Sequence, residues 1–145
     1  MSFATPQDVE DAFYDSFEEA DLAQMMSTWA EDDGIVCIQP MRDPARGRDA
    51  VRESWDEVFR SGIKVEVVVH HLHWIEGEDL AIHVLREELT IDEGRAQAPP
   101  PILATNAYRR VGEGWAMVLH HTTPSPPPPP AGGMAPPSGF VPPMR

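Results

Sequence analysis

Hydrophobic positions recur every three or four residues in the first part of the chain and alternate in the second. Val9, Phe13, Phe17 and Ala20 form one stripe at helical spacing. Thr5 before Pro6, followed by Asp8 and Glu10, predicts a capped helix start whose first-turn acids suit the helix dipole. Asp21 restarts the pattern as a second cap, and Leu22, Met25, Met26 and Trp29 continue it in a short second helix. Glu31-Asp32-Asp33-Gly34 reads as a turn and Ile35 to Ile38 as a short strand stopped by Pro40. After a loop from Met41 to Arg48, Asp49 is the expected cap of a third helix. Its Ala50, Val51, Trp55, Val58 and Phe59 share a face, and Ser61-Gly62 ends it.

Period-two alternation then predicts four longer strands: Ile63 to Ile75, Leu80 to Ile91, Ile102 to Arg110 and Trp115 to Thr122. Their connections are Glu76 to Asp79, a longer Asp92 to Pro101 loop, and the tight turn Val111 to Gly114. Helices followed by an antiparallel meander imply an α+β fold. Strict alternation puts Val65, Val67, Val69, His71, His73 and Ile75 on one face, with Leu72 and Trp74 on the other. In the last strand, Trp115, Met117, Leu119, His121 and Thr123 are expected to face the helices, with Val118, His120 and Thr122 opposite. Both sheet faces are apolar, and three helices cover only one of them. The other, carrying Leu72 and Trp74, is the expected interface of a homodimer.

Composition narrows the classes. At 145 residues, with a net charge of −13 and a pI near 4.7, the chain lacks the clustered basic face that nucleic acid requires. Arg42, Arg46, Arg48 and Arg52 are the one local concentration of cations and read as a solvated charge mixture. Cys37 is the sole cysteine, so no intrachain disulfide is available; within its apolar run it reads as a small buried hydrophobe. Neither a signal peptide nor a membrane span is visible, and a cytoplasmic protein is expected. Beyond Pro124, proline, glycine and alanine dominate, so the chain divides into a domain over 1–123 and a disordered proline-rich tail over 124–145.

Four segments carry a family resemblance: F-Y-x-x-F-E-x-x-D-L at Phe13 to Leu22, and W-x-x-D-D at Trp29 to Asp33. The others are G-R-D-A-V-x-x-S-W-x-x-V-F at Gly47 to Phe59 and G-W-x-M-V-L-H-H-T-T at Gly114 to Thr123. In this order they resemble the SnoaL-like part of the nuclear transport factor 2-like superfamily. The resemblance implies a cone-shaped, cystatin-like fold, with three N-terminal helices packed on a strongly curved antiparallel sheet around a mostly apolar cavity. It implies dimerisation through the sheet, and in catalytic members an Asp or a His–Asp pair with a Tyr donor. By position, the cavity-lining residues would be Tyr14, Phe17, Met25, Trp29, Trp55, Phe59, Asn106, Tyr108 and His121. His121 matches the family's histidine near the end of the last strand, with Thr123 where a serine is common. No complete catalytic set maps onto the chain.

The candidate chemistry is proton transfer. His121 is the acid–base candidate, set against a histidine hydrogen-bonded within the sheet. Glu87 is the candidate base if it, rather than Glu88, points inward, because an apolar surrounding would raise its pKa. A cross-strand ion pair with Arg86, Arg109 or Arg110 is its bland alternative. Asn106 and Tyr108 are candidate donors to a developing oxyanion. His71 and His73 could share a metal ion if one face held both, but no motif supplies the remaining ligands, so neither metal nor cofactor is expected. The function that follows is a pocket protein binding a small, largely apolar molecule, or performing isomerase-, cyclase- or dehydratase-type chemistry on it. The other class is a non-catalytic dimerising or ligand-sensing domain whose tail reaches a partner.

Overall fold

The structure is a computed structural model that describes residues 2–91 and 99–126; most of the loop after the second long strand and the tail from 127 onward lie outside them. Three helices, α1 (Pro6–Glu19), α2 (Leu22–Ser27) and α3 (Arg48–Arg60), accompany six strands. The strands are β1 (Val36–Ile38), β2 (Ala45–Arg46), β3 (Val65–Glu76), β4 (Leu80–Ile91), β5 (Ile102–Val111) and β6 (Gly114–Pro124). They form one sheet in the order β2-β1-β6-β5-β4-β3. The fold is α+β, as the hydrophobic pattern implies.

Local chemistry accounts for the helix ends. The Thr5 hydroxyl accepts from the Asp8 amide and the Asp21 carboxylate from the Gln24 amide, so both caps hold where the sequence puts them. Ala20 ends α1 in the left-handed region at φ 54°. Three details differ. The second helix stops at Ser27, and Trp29 instead bridges Met117 of β6. The N-cap of α3 is Gly47 at φ 86°, not Asp49, which lies two residues further on as a first-turn acid. The pair Ala45–Arg46, read as loop, forms β2 against β1, and β1 runs parallel to β6, so the sheet is mixed rather than wholly antiparallel.

Helices cover one face of the sheet. Phe13 of α1 stands at the centre of that core, 4.9 Å from Tyr14, 5.4 Å from Trp55 and 4.8 Å from His120 between ring centroids. Trp55 of α3 also meets Phe17 and Phe59. Arg48 ties the α2 end to this core by donating to the carbonyls of Met26, Trp29 and Ala30. Within the arginine concentration it therefore serves as a structural clamp. Cys37 is buried, and burial pushes its thiol up to about 12, which suits a packing residue and not a nucleophile.

Two β-bulges decide which residues face the helices. In β3, His71 pairs with Leu85 and His73 with Val84, so Leu72 is the extra residue. In β6, Leu119 pairs with Ala107 and Met117 with Tyr108, so Val118 is extra. Each bulge inverts the alternation beyond it. Trp74 therefore returns to the helix side opposite His83, while His73 and Ile75 go to the outer face. Likewise His120 and Thr122 turn inward, and Leu119, His121 and Thr123 turn outward, the reverse of strict alternation.

Candidate functional site

Glu10 and Tyr14 lie one helical turn apart on α1, beside the Val9–Phe13 stripe. Each reaches a different group of inward side chains on the sheet, so the helix organises two adjacent polar clusters.

The inner cluster is Tyr14, Glu87, Asn106 and His120, all buried. His120 Nδ1 donates to Asn106 Oδ1 at 2.6 Å, Asn106 Nδ2 donates to the Tyr14 oxygen at 3.0 Å, and the Tyr14 hydroxyl donates to Glu87 Oε2 at 2.6 Å. Because the amide oxygen of Asn106 can only accept, His120 carries its proton on Nδ1, leaving Nε2 as a lone-pair acceptor. That Nε2 stands 4.0 Å from Glu87 Oε2 and almost closes the loop. Burial pushes the Glu87 carboxyl up to about 7, against the pull of the Tyr14 hydrogen bond. Burial drives His120 down to about 3. Near neutrality His120 is therefore neutral, and Glu87 is poised between its protonated and ionised forms. The Tyr14 phenol is pushed well above its ordinary value by burial and by the Glu87 charge, so it stays a neutral donor.

The outer cluster centres on Glu10. His71 Nε2 lies 2.6 Å from Glu10 Oε2, and His83 Nδ1 lies 2.9 Å from Oε1. Gln7 donates to Oε2 at 2.7 Å, and the Tyr108 hydroxyl reaches Oε1 at 3.4 Å. Burial raises the pKa of Glu10, but the bonds from His83 and Gln7 and the neighbouring His71 outweigh it and hold the carboxyl below its ordinary value. Trp74 lies against both imidazoles, at 4.8 Å from His71 and 4.6 Å from His83. A cleft of about 470 Å³ between α1 and β3 opens onto this cluster and is lined by Gln7, Glu10, Asp11, Tyr14 and His71 among others.

The sequence candidates distribute as follows. Glu87 points inward and Glu88 outward, where Glu88 meets His70 at 3.3 Å. Asn106 and Tyr108 are both buried on the helix side and share a face, as alternation expects. His121 is exposed on the opposite side, and His120 occupies the inward position. Met25, Trp29 and Trp55 belong to one buried core cluster, and Phe17 and Phe59 pack half-buried against it. Tyr14 lines the cleft, while Trp29 lines a separate surface groove with Arg48 and Trp115. Sequence reasoning does not single out Glu10, an acid early in α1, or His120. The signal for Glu10 was present, since an acid at position 10 shares a helix face with Tyr14 and Phe17. His120 carried no such signal, because a bulge leaves no mark in an alternating run.

The SnoaL-like domain profile matches residues 7–127. No curated protein matches the sequence. Among solved structures, a candidate calcium/calmodulin-dependent protein kinase type II association domain from Thiobacillus denitrificans is 41% identical, with a TM-score of 0.82, covering 87% of this chain and 99% of that one. A candidate dehydratase of the nuclear transport factor 2-like family from Streptomyces avermitilis is 22% identical, with a TM-score of 0.74, covering 82% and 92%. A ketosteroid isomerase-like protein from Erwinia carotovora atroseptica is 20% identical, with a TM-score of 0.67, covering 83% and 94%. The last two establish likeness of fold. No helix among the described residues is long and apolar enough to cross a membrane.

Proposed function

The chain belongs to the SnoaL-like domain family of the nuclear transport factor 2-like superfamily, and from that premise we propose that it binds a small, largely apolar carbonyl compound and moves a proton on it. The reaction would be of the isomerase, cyclase or dehydratase type. The observation that carries this reading is Glu87: a carboxyl in the protein core, ionising near 7, bonded to a phenol that itself faces the cleft. A group poised near the operating pH is what general acid–base catalysis requires. In this reading Glu87 accepts the substrate proton. On substrate binding the single Tyr14 hydroxyl hydrogen turns from Glu87 to the oxygen where negative charge develops, which frees the Glu87 carboxylate to act as base. Asn106, oriented by His120, keeps donating to the Tyr14 oxygen and acts as a positioning residue that holds that oxygen in place. The names of the dehydratase and isomerase-like neighbours agree with this class of chemistry.

The test is exchange of α-hydrogen into deuterated solvent on a panel of cyclic enones, followed by NMR with the full chain. Wild type is expected to accelerate exchange above the buffer rate, and Glu87→Gln to lower that acceleration by about 10²-fold or more. Tyr14→Phe is expected to weaken binding of a phenol, a stable mimic of the enolate oxygen, by about tenfold. Exchange at the buffer rate across the panel, or exchange unaffected by Glu87→Gln, overturns the reading.

The second reading is self-association, favoured by the outer sheet face and by the association-domain name of the 41% identical relative. Val68 and Ile75 are 51% and 49% exposed on that face, beside Ile82 and Val84. We propose a second copy of this chain as its partner. The bulge at Leu72 removes Trp74 from the expected interface and puts His73 and Ile75 there instead. Sedimentation equilibrium is expected to give twice the 16.1 kDa chain mass for wild type and a monomer for Ile75→Lys. A monomeric wild type at about 50 μM, well above the dissociation constants of stable dimers, counts against it.

A further inference from the structure

The outer cluster has a use that the Glu87 chemistry does not require. We propose that Glu10, His71 and His83 bind a divalent first-row transition metal ion, with zinc the best fit, and that the remaining coordination position opens onto the cleft between α1 and β3.

Three potential ligand atoms, one from each residue, all lie within 4.8 Å of one another. Ions of this class take histidine nitrogen and carboxylate oxygen at about 2.0–2.2 Å, which puts the ligand atoms around one ion roughly 3–3.5 Å apart. The contacts of 2.6 and 2.9 Å between the imidazoles and Glu10 are therefore close to a coordinating arrangement. The adjustment falls on His71, whose side chain is 28% exposed at the rim, while Glu10 and His83 are held in the protein. Two histidines with one carboxylate form a donor set suited to zinc or a similar borderline ion, and not to magnesium or calcium, which take all-oxygen sites.

The surroundings favour a cation. Tyr108 and Gln7 donate to the two oxygens of the Glu10 carboxylate and so orient it, as partners behind metal ligands do. Trp74 packs on both imidazoles and limits their rotation. The cleft mouth adds Asp11, Asp15 and Glu18, with no lysine or arginine among the described residues that line it. An independent observation comes from Gln7. Its amide nitrogen donates to Glu10 Oε2 at 2.7 Å and to Asp11 Oδ1 at 2.8 Å, while its amide oxygen is buried with no hydrogen-bond partner among the described residues. That acceptor is free to take a hydrogen bond from a water brought in with a cation.

The experiment is isothermal titration of chelator-stripped full chain with Zn²⁺, accompanied by Co²⁺ absorbance to report coordination geometry. One ion per chain is expected, with a dissociation constant of about 1 μM or tighter. His71→Ala, a rim substitution, is expected to weaken binding by about 100-fold, and its own metal-free melting temperature is the baseline for its Zn²⁺ response. His70→Ala, on the outer face, is expected to change neither. Zn²⁺ should raise the melting temperature of wild type and not of His71→Ala. Millimolar affinity, binding that survives His71→Ala, or equal affinity for Mg²⁺ and Zn²⁺ overturns the proposal. Since Glu87, Asn106 and His120 take no part, α-hydrogen exchange can fail while metal binding holds, and the reverse.

Discussion

Trp55→Ala is expected to lower folding stability by about 3–5 kcal/mol, the range for deleting a large buried aromatic. Trp55 is fully buried and its indole meets Phe13, Phe17, Phe59 and His120 at ring-centroid distances between 5.2 and 5.8 Å. Those contacts join α3 to α1 and both helices to β6, so no neighbour can collapse into the space without moving an element. Against a net stability of about 5–15 kcal/mol, the loss removes a large fraction of the total. Urea denaturation measures it, with the exposed Arg60→Ala as a control that leaves the midpoint near wild type. The result also bears on function. A loss under about 1 kcal/mol would mean that Trp55 walls a hollow and is not packed on all sides.

Glu87→Gln is expected to stabilise the protein at high pH and to do almost nothing at low pH. The Glu87 carboxyl ionises near 7 when folded, against an ordinary value of 4.5. The folded state therefore binds more protons than the unfolded state between those values, and stability falls as pH rises through this window. Glutamine keeps an oxygen to accept from Tyr14 and has no proton to lose. The variant should equal wild type below about pH 4.5 and exceed it by about 3 kcal/mol above pH 7. His120 has the opposite sign. Its folded value near 3 lies below the ordinary 6.5, so its contribution is complete above 6.5 and lost as pH falls toward 3. In wild type the two slopes oppose each other between 4.5 and 6.5. In Glu87→Gln only the histidine slope remains, and stability climbs from pH 3 to 6.5 and then levels. Chemical denaturation of both proteins at pH 4, 6 and 8 checks the pattern. A difference that does not grow with pH would show that Glu87 is ionised in the folded protein, which removes the basis for its role as a near-neutral base.

A stabilising substitution at a buried carboxyl has a functional meaning. A residue that weakens the fold at neutral pH is retained at a cost, and such costs concentrate where activity needs an unfavourable group. The same reasoning separates Glu87 from Glu10, whose carboxylate is surrounded by donors and held in its charged form. Two acids of like burial are thus shifted in opposite directions, because one has four donors around it and the other has one.

The chain's own residues determined every helix and long strand to within a few positions. Helical spacing, Thr5 and Asp21 as caps, and glycine turns are local facts, settled by residues a few places apart. The family resemblance and, through it, the inward Tyr14, Asn106 and Tyr108 were equally legible, since α1 and β5 carry no extra residue and the bulge opposite Tyr108 lies in β6. What only the tertiary structure decided was the phase of β3 and β6 beyond their bulges. A bulge exists in the pairing of one strand with another, and an alternating sequence such as Ala116 to Thr123 reads the same with or without it. One extra residue at Val118 exchanged His121 for His120, and one at Leu72 exchanged His73 for Trp74. The meeting of Glu10 with His71 and His83, 61 and 73 residues along the chain, is likewise a product of α1 packing on the sheet. Side chains that distant are brought together by burial of the apolar stripe, and a one-dimensional pattern does not record which polar groups that burial carries with it.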